Sequence, residues 1–77
     1  MMQKEVREWL VSDMSCEGCV QAIQRSLSGL AGVEQVAVHL DTKRVRVRFD
    51  PAQIQEDAIQ QRIEQAGFSP QPAPSGE

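Results

Sequence analysis

The stretch Met14-Ser15-Cys16-Glu17-Gly18-Cys19 lies where the hydrophobic period of the chain changes from two residues to three or four. Before it, Trp9 and Val11 alternate with Glu8 and Ser12, which predicts a half-buried strand over residues 4–12. After it, apolar residues recur at helical spacing and two glycines signal the helix end: Val20, Ile23, Leu27 and Leu30, then Gly29 and Gly32. Two cysteines are therefore expected at the start of a helix that follows a strand.

The rest of the chain repeats the strand and helix patterns. Apolar residues alternate over residues 36–40 and 45–49, on either side of a turn at 41–43, which predicts an antiparallel strand pair. Asp50-Pro51 ends that pair, and helical spacing from Ile54 to Ala66 predicts a second helix that Gly67 closes. Phe68 is expected to open a last short strand, and the prolines after it allow an edge strand at most.

The order strand, helix, strand, strand, helix, strand predicts an α+β fold of the ferredoxin-like βαββαβ kind. In this sandwich a four-stranded antiparallel sheet carries two helices on one face. We expect one domain over residues 1–70, followed at 71–77 by a disordered Pro-rich tail or the start of a linker. The topology brings the loop 13–19, the turn 41–43 and the loop 67–68 to one end of the sheet, where we expect the chemistry.

Composition narrows the classes of function. The 77 residues carry 11 acidic and 8 basic side chains, for a net charge of −3, and no long basic cluster, so nucleic acid is not an expected partner. Charged residues over 4–8 interrupt any apolar run, which predicts neither a secretory segment nor membrane insertion and favours a cytoplasmic location. In that reducing compartment, two cysteines at this spacing are expected to be metal ligands or redox groups.

The candidate metal ligands are Cys16 and Cys19, because soft thiolates select soft ions such as Cu(I) and a helix start lowers a thiol pKa. Met14 has a thioether that could bind copper, but strand parity favours a place in the core beneath the loop. Phe68 is interpreted either as an apolar cap over the sulfurs or as a core aromatic. His39 lies near the same end but is expected to point away from the helices.

The motif at residues 14–19 resembles the Met-x-Cys-x-x-Cys signature of the heavy-metal-associated domain. Residues 32–38 and 63–68 are similar to that family's second strand and second helix end, so the resemblance covers about residues 5–70. It implies the ferredoxin-like fold and linear or trigonal Cu(I) binding, as in copper chaperones and copper-ATPase amino-terminal domains. Relatives that handle Hg(II), Zn(II) or Cd(II) leave the metal open.

We expect a non-enzymatic Cu(I) chaperone that delivers copper to the Cys-x-x-Cys domain of a metal-transporting P-type ATPase. One alternative is a metal-binding domain of a larger ATPase or of a mercuric reductase. Another is a small glutaredoxin-like dithiol oxidoreductase, which is disfavoured because no proline or aromatic residue separates Cys16 from Cys19. A metal-bridged homodimer is also open, because two copies could share one ion.

A row of arginines at positions 44, 46 and 48 is expected on the uncovered side of the sheet. Rows of this kind are usually solvated and balanced by cross-strand acids, for which Glu8 is the candidate here. A docking surface is the alternative interpretation.

Overall fold

The computed structural model describes residues 4–73 and has the predicted element order. The six elements are β1 (Glu5–Leu10), α1 (Glu17–Ser28), β2 (Val33–His39), β3 (Arg44–Phe49), α2 (Glu56–Gln65) and β4 (Gln71–Ala73). The four strands form one sheet in the order β2-β3-β1-β4, and every neighbouring pair is antiparallel. The predicted ferredoxin-like βαββαβ fold is therefore confirmed.

Both helices cover the same face of the sheet, because their apolar stripes share one core with the inward-facing strand residues. That core consists of Trp9, Val11, Met14, Ile23, Leu27, Val45, Val47, Phe49, Ile59 and Ile63. Trp9 also donates its indole N–H to Gln60 Oε1 over 3.1 Å, which joins the central strand β1 to α2. Alternation in the strands and helical spacing in α1 and α2 thus converge on one apolar layer.

The last strand corrects one expectation. It lies at Gln71–Ala73 and not at Phe68, so the ordered fold continues three residues into the segment 71–77 that we had assigned to a tail. Pro72 is opposite Trp9 in this strand pair. A proline is tolerated there because β4 is an edge strand and needs hydrogen bonds on one side only. The expectation for 74–77, like that for 1–3, lies outside the described residues.

Two other boundaries differ by two residues from the prediction. β1 ends at Leu10, and the following Val11 stays buried while its N–H donates to the Lys43 carbonyl over 2.8 Å. α2 begins at Glu56, although Ile54 already packs against the core before the helix starts. Apolar spacing therefore located the buried side chains better than it located the ends of the backbone ladders.

The end of the sheet opposite the cysteines is held by Asp50, whose residue is only 7% exposed. Its Oδ1 accepts the N–H of Ala52 over 3.0 Å and its Oδ2 accepts an amide hydrogen of Gln53 over 3.1 Å. Both hydrogen bonds lower the pKa of Asp50, and the one from the Ala52 N–H has the larger effect. Lys4, whose ammonium lies 3.8 Å from Asp50 Oδ2, acts in the same direction. The Asp50 N–H donates to the carbonyl of Gly32, which has a φ of 93°.

We predict that Asp50→Asn lowers the free energy of unfolding at neutral pH and that the deficit relative to the wild type disappears in acid. The folded-state pKa of Asp50 lies below its unfolded value, so this carboxylate stabilises the fold fully above the unfolded pKa. That contribution is lost as the pH falls through the folded pKa. Urea denaturation of both proteins over a pH series measures the difference.

The matched control for this series is Glu64→Gln, which removes one negative charge from an exposed position of α2. It should change the stability little at any pH. A deficit of Asp50→Asn that stays constant down to strongly acidic pH would contradict an electrostatic role for the carboxylate.

Candidate metal centre

The loop between β1 and α1 is fastened to both neighbouring loops at one end of the sheet. Lys43, in the β2–β3 turn, donates its ammonium to the carbonyl of Met14 over 2.8 Å. From the other side, the N–H of Ser69 donates to Asp13 Oδ1 over 3.3 Å. The three loops that the topology was expected to bring together are therefore linked by hydrogen bonds, which restrict the backbone next to the cysteines.

Lys43, like Asp13 and Ser69, belongs to this framework although the sequence analysis did not single it out. It was treated as part of a turn, yet its φ is 59° and its carbonyl and ammonium both bond to the β1–α1 segment. The sequence pattern indicated only a turn at this position, because the contact of Lys43 with Met14 joins residues that are far apart in the chain.

Cys16 and Cys19 lie side by side at the beginning of α1, with their Sγ atoms 3.1 Å apart. Cys16 is the N-cap residue, with extended φ and ψ of −151° and 166°, and its carbonyl accepts the N–H of Cys19 over 3.0 Å. Cys16 is exposed, whereas Cys19 is half-buried and packs against the core. One sulfur is thus fixed by the helix and the other faces solvent.

The pKa of Cys19 is lowered by its surroundings. The largest cause is the hydrogen bond with the Cys16 thiol, followed by the backbone amide of Ser15, which stabilises a negative sulfur. Partial burial and the negative charge of Asp13 act in the opposite direction but do not cancel the shift. Cys19 therefore forms a thiolate, the reactive and metal-binding form, more readily than an ordinary cysteine.

The other three residues considered for the metal site, Met14, Phe68 and His39, lie in different parts of the structure. Met14 is completely buried in the core, directly below the loop. Phe68 is half-buried and packs against the same core from the segment after α2. His39 is exposed and lies opposite Arg44 at the end of β2, on the face of the sheet that carries no helix. The structure thus brings the two cysteines together and leaves His39 on another face.

The donor set consists of two sulfurs in contact. Within residues 4–73, no three or more His, Cys, Asp and Glu side chains form a group that could hold a metal ion. Metal–thiolate bonds of about 2.3 Å would place two sulfurs about 3.8 Å apart at a tetrahedral angle and about 4.6 Å apart in line. The observed 3.1 Å is shorter, so metal binding requires the sulfurs to separate by roughly 1 Å. Rotation of the exposed Cys16 side chain can supply that movement.

Gly18 lies between the two cysteines and adds no side chain to the loop. A Cβ atom at that position would lie 3.7 Å from Cys16 Sγ, which is ordinary van der Waals contact, so an alanine would also fit. Access to the pair from solvent comes from the exposed position of Cys16.

Comparison with known proteins agrees with this geometry. The chain belongs to the heavy-metal-associated domain family, whose profile matches residues 9–69. It is 36% identical over 62 residues to the copper chaperone CopZ of Enterococcus hirae, an alignment that covers 80% of this chain and 90% of that protein. The resemblance drawn from the motif and its flanking segments is confirmed.

The chain also matches small parts of much larger proteins. It is 37% identical over 67 residues to a probable copper-exporting P-type ATPase of Archaeoglobus fulgidus, covering 87% of this chain but 8% of that protein. Among solved structures, a putative copper-ion-binding protein from Bacillus anthracis superposes with a TM-score of 0.86 at 37% identity, over 92% of this chain and all of the other.

Across residues 4–73, no helix has the length and apolar character to span a membrane.

We predict that Cys16→Ala raises the pKa of Cys19 towards its ordinary value, because the substitution removes the hydrogen bond that contributes most to the shift. The ultraviolet absorbance of the thiolate, followed as a function of pH in the reduced metal-free protein, gives this pKa directly. Ser15→Ala is the matched control, since it keeps the backbone amide that stabilises the Cys19 thiolate. The assignment would be contradicted if the pKa of Cys19 in the Cys16→Ala variant were no higher than that of the first thiol to titrate in the wild type.

Proposed function

We propose that this protein binds one Cu(I) ion between the thiolates of Cys16 and Cys19 and delivers it to the Cys-x-x-Cys domain of a metal-transporting P-type ATPase. The observation that carries the proposal is the contact of two free thiols, 3.1 Å apart, at the exposed start of a helix. The helix dipole and the hydrogen bonds at Cys19 favour negative sulfur, which is the form that binds metal.

Cu(I) is the preferred ion because the chain offers soft sulfur ligands and few of them. Thiolates select Cu(I) over hard ions, and two ligands leave the coordination incomplete for an ion that favours four. The similarity to the copper chaperone CopZ and to copper-exporting ATPases supports the same choice. Hg(II), Zn(II) and Cd(II) remain the alternatives that a direct competition must rank.

Transfer follows from the unequal settings of the two sulfurs. Cys16 is exposed and caps the helix without a side-chain hydrogen bond to its backbone, so its bond to the ion is the one that a partner can replace first. Cys19, packed against the core, holds the ion while a partner thiolate takes the vacated position. The ion then moves through a shared-sulfur intermediate in small steps, and none of them needs an acid or base from the protein.

Phe68 and Met14 support the site without binding the ion in this proposal. Phe68 contributes an apolar ring beside the loop, and its role is to limit access of water and competing thiols to the sulfurs. Met14 supports the loop from below because its side chain is fully buried in the core.

The partner is expected to present a basic rim, since Asp13, Glu17 and Asp41 are exposed around the loop. Delivery to such a partner places the protein in the cytoplasm, where thiols stay reduced. The transfer step is the same whether the chain acts alone or as a domain of a larger ATPase or mercuric reductase. Two copies of the chain could also share one ion through their four thiolates, and this metal-bridged homodimer can be tested for at high protein concentration.

A dithiol oxidoreductase is the second candidate, because sulfurs 3.1 Å apart can also close into a disulfide. Such enzymes place a proline or aromatic residue near the pair, whereas Glu17 and Gly18 separate the cysteines here. Among residues 4–73, the carboxylates next to the pair, Asp13 and Glu17, are exposed to solvent, and His39 lies on the other face of the sheet, which does not favour general acid or base catalysis at the sulfurs. Binding and transfer, without catalysis, therefore fit the site better.

We predict that each reduced chain binds one Cu(I) ion. Cys16→Ser and Cys19→Ser should each weaken the affinity, because each removes a direct ligand. The loss should exceed the roughly 10- to 100-fold that removing an outer-shell partner of a metal ligand costs. Competition with a chelator of known affinity measures this loss. The same titration with Zn(II), Cd(II) and Hg(II) ranks the candidate ions. Ser15→Ala, next to the ligands, serves as the control and should bind as the wild type does.

The double Cys→Ser variant decides the assignment of the ligands, because tight Cu(I) binding by that variant would refute it. A glutathione-coupled disulfide-reduction assay of the wild type separates the two functions. Robust turnover that Cys16→Ser abolishes, combined with weak Cu(I) affinity, would favour the oxidoreductase.

A further inference from the structure

The face of the sheet that carries no helix is formed by the outward residues of β1, β2 and β3. The strand registers arrange them in three rows across the sheet: His39, Arg44 and Leu10; Ala37, Arg46 and Glu8; and Gln35, Arg48 and Val6. The three arginines occupy the middle of every row. We call this surface, made of these nine residues, the arginine face.

The arginine face is positively charged on a protein whose net charge is −3. Its nine residues include three arginines and one carboxylate, Glu8, which contacts Arg44 at 3.2 Å and Arg46 at 3.8 Å. Within the part of the chain that the structure describes, no acidic side chain lies within 4 Å of Arg48. One carboxylate thus serves two arginines, and the third has its guanidinium available.

A shallow groove of about 280 Å³ lies beside Arg46 and Arg48. It is lined by the two arginines and by three short, partly apolar side chains, those of Val6, Gln35 and Ala37. The Arg46 side chain is 58% exposed, so its guanidinium can reorient towards a second carboxylate without breaking a short ion pair. The groove therefore combines a surface for small apolar groups with two available guanidinium groups.

We propose that the arginine face docks an extended acidic peptide segment of a partner protein, with its carboxylates at alternate positions. Alternate side chains of an extended chain project to the same side about 6.6–6.8 Å apart, which is also the spacing of Arg44, Arg46 and Arg48 along β3. Arginine can bind each carboxylate through two parallel hydrogen bonds. The residues between the carboxylates point away from the sheet, so their identity matters less.

A nucleic acid fits this surface less well than an acidic peptide does. The two large aromatic side chains of these strands, Trp9 and Phe49, are buried in the core on the opposite face, so the surface has no aromatic ring of this kind for bases to stack on. The net negative charge of the chain also opposes a long polyanion. A short segment that presents a few carboxylates needs only the local positive charge.

Docking on this face leaves the cysteines free. Cys16 and Cys19 belong to a loop at one end of the sheet and lead into α1, which covers the opposite face. A partner segment lying along β3 can therefore hold the protein while the thiols remain open to solvent. The inference does not depend on which metal the thiols bind.

The test uses the full reduced chain and a short capped peptide in which Glu and Ala alternate. Backbone amide shifts of the isotope-labelled protein report where it binds, and the expected shifts map to β1, β2 and β3. Binding should weaken as salt is added, because exposed charges are screened. Arg48→Glu should weaken it roughly tenfold or more, as expected for loss of a charged hydrogen-bonded pair.

Arg25→Glu is the matched control, because Arg25 is exposed in the last turn of α1. It changes the net charge equally and should leave the affinity as it is. Arg48→Gln repeats the test without charge reversal if Arg48→Glu folds poorly. Equal losses in the Arg25 and Arg48 variants, or no binding at low salt, would overturn the proposal.

Two further probes test the stated chemistry. An isomeric peptide whose glutamates are contiguous should bind more weakly, and equal binding would overturn the alternating arrangement that defines the proposal. A single-stranded oligonucleotide that binds the same face more tightly than the alternating peptide would overturn it in favour of nucleic acid. A peptide in which Lys replaces Glu should not bind.

Discussion

The rest of the structure depends on the hydrogen-bonded position of β1 between β3 and β4. Because β1 is paired on both sides, its end at Leu10 is fixed, and the next residues can reach the neighbouring turn. The bonds from Val11 to Lys43 and from Lys43 to Met14 then hold the loop that carries Cys16. Cys16 is the N-cap of α1, so the geometry of the two sulfurs follows from strand pairing as much as from the motif itself.

The two ends and two faces of this small domain have different electrostatic characters. The cysteine end exposes carboxylates, and the far end uses the buried carboxylate of Asp50 to fix a turn beside Gly32. The arginine face instead carries three arginines on the central strand β3, and each of them lies between a β1 and a β2 side chain. In a fold with one apolar layer, partners can be distinguished by charge without any change in the core.

Side-chain periodicity predicted the fold well because it records burial directly. Trp9, Val45 and Ile63 are core residues in the structure as their spacing indicated, and the order of elements follows from them. The predicted start of the last strand at Phe68 was three residues too early, whereas the edge position allowed for the prolines agrees with β4 at Gln71–Ala73. The role of Lys43 is not readable from periodicity, since it depends on a contact with Met14, 29 positions away in sequence. The spacing of the cysteines identified a pair of thiols, but the difference in burial between Cys16 and Cys19 required the structure.

The X-ray absorption spectrum of copper in the reduced, Cu(I)-loaded monomer, without added thiol, tests the central claim most directly. The proposed site predicts two sulfur neighbours and no nitrogen or oxygen ligand. Because Met14 is assigned to the core, Met14→Leu should leave the spectrum unchanged. A nitrogen neighbour, or a third sulfur that disappears in Met14→Leu, would contradict a site made of Cys16 and Cys19 alone.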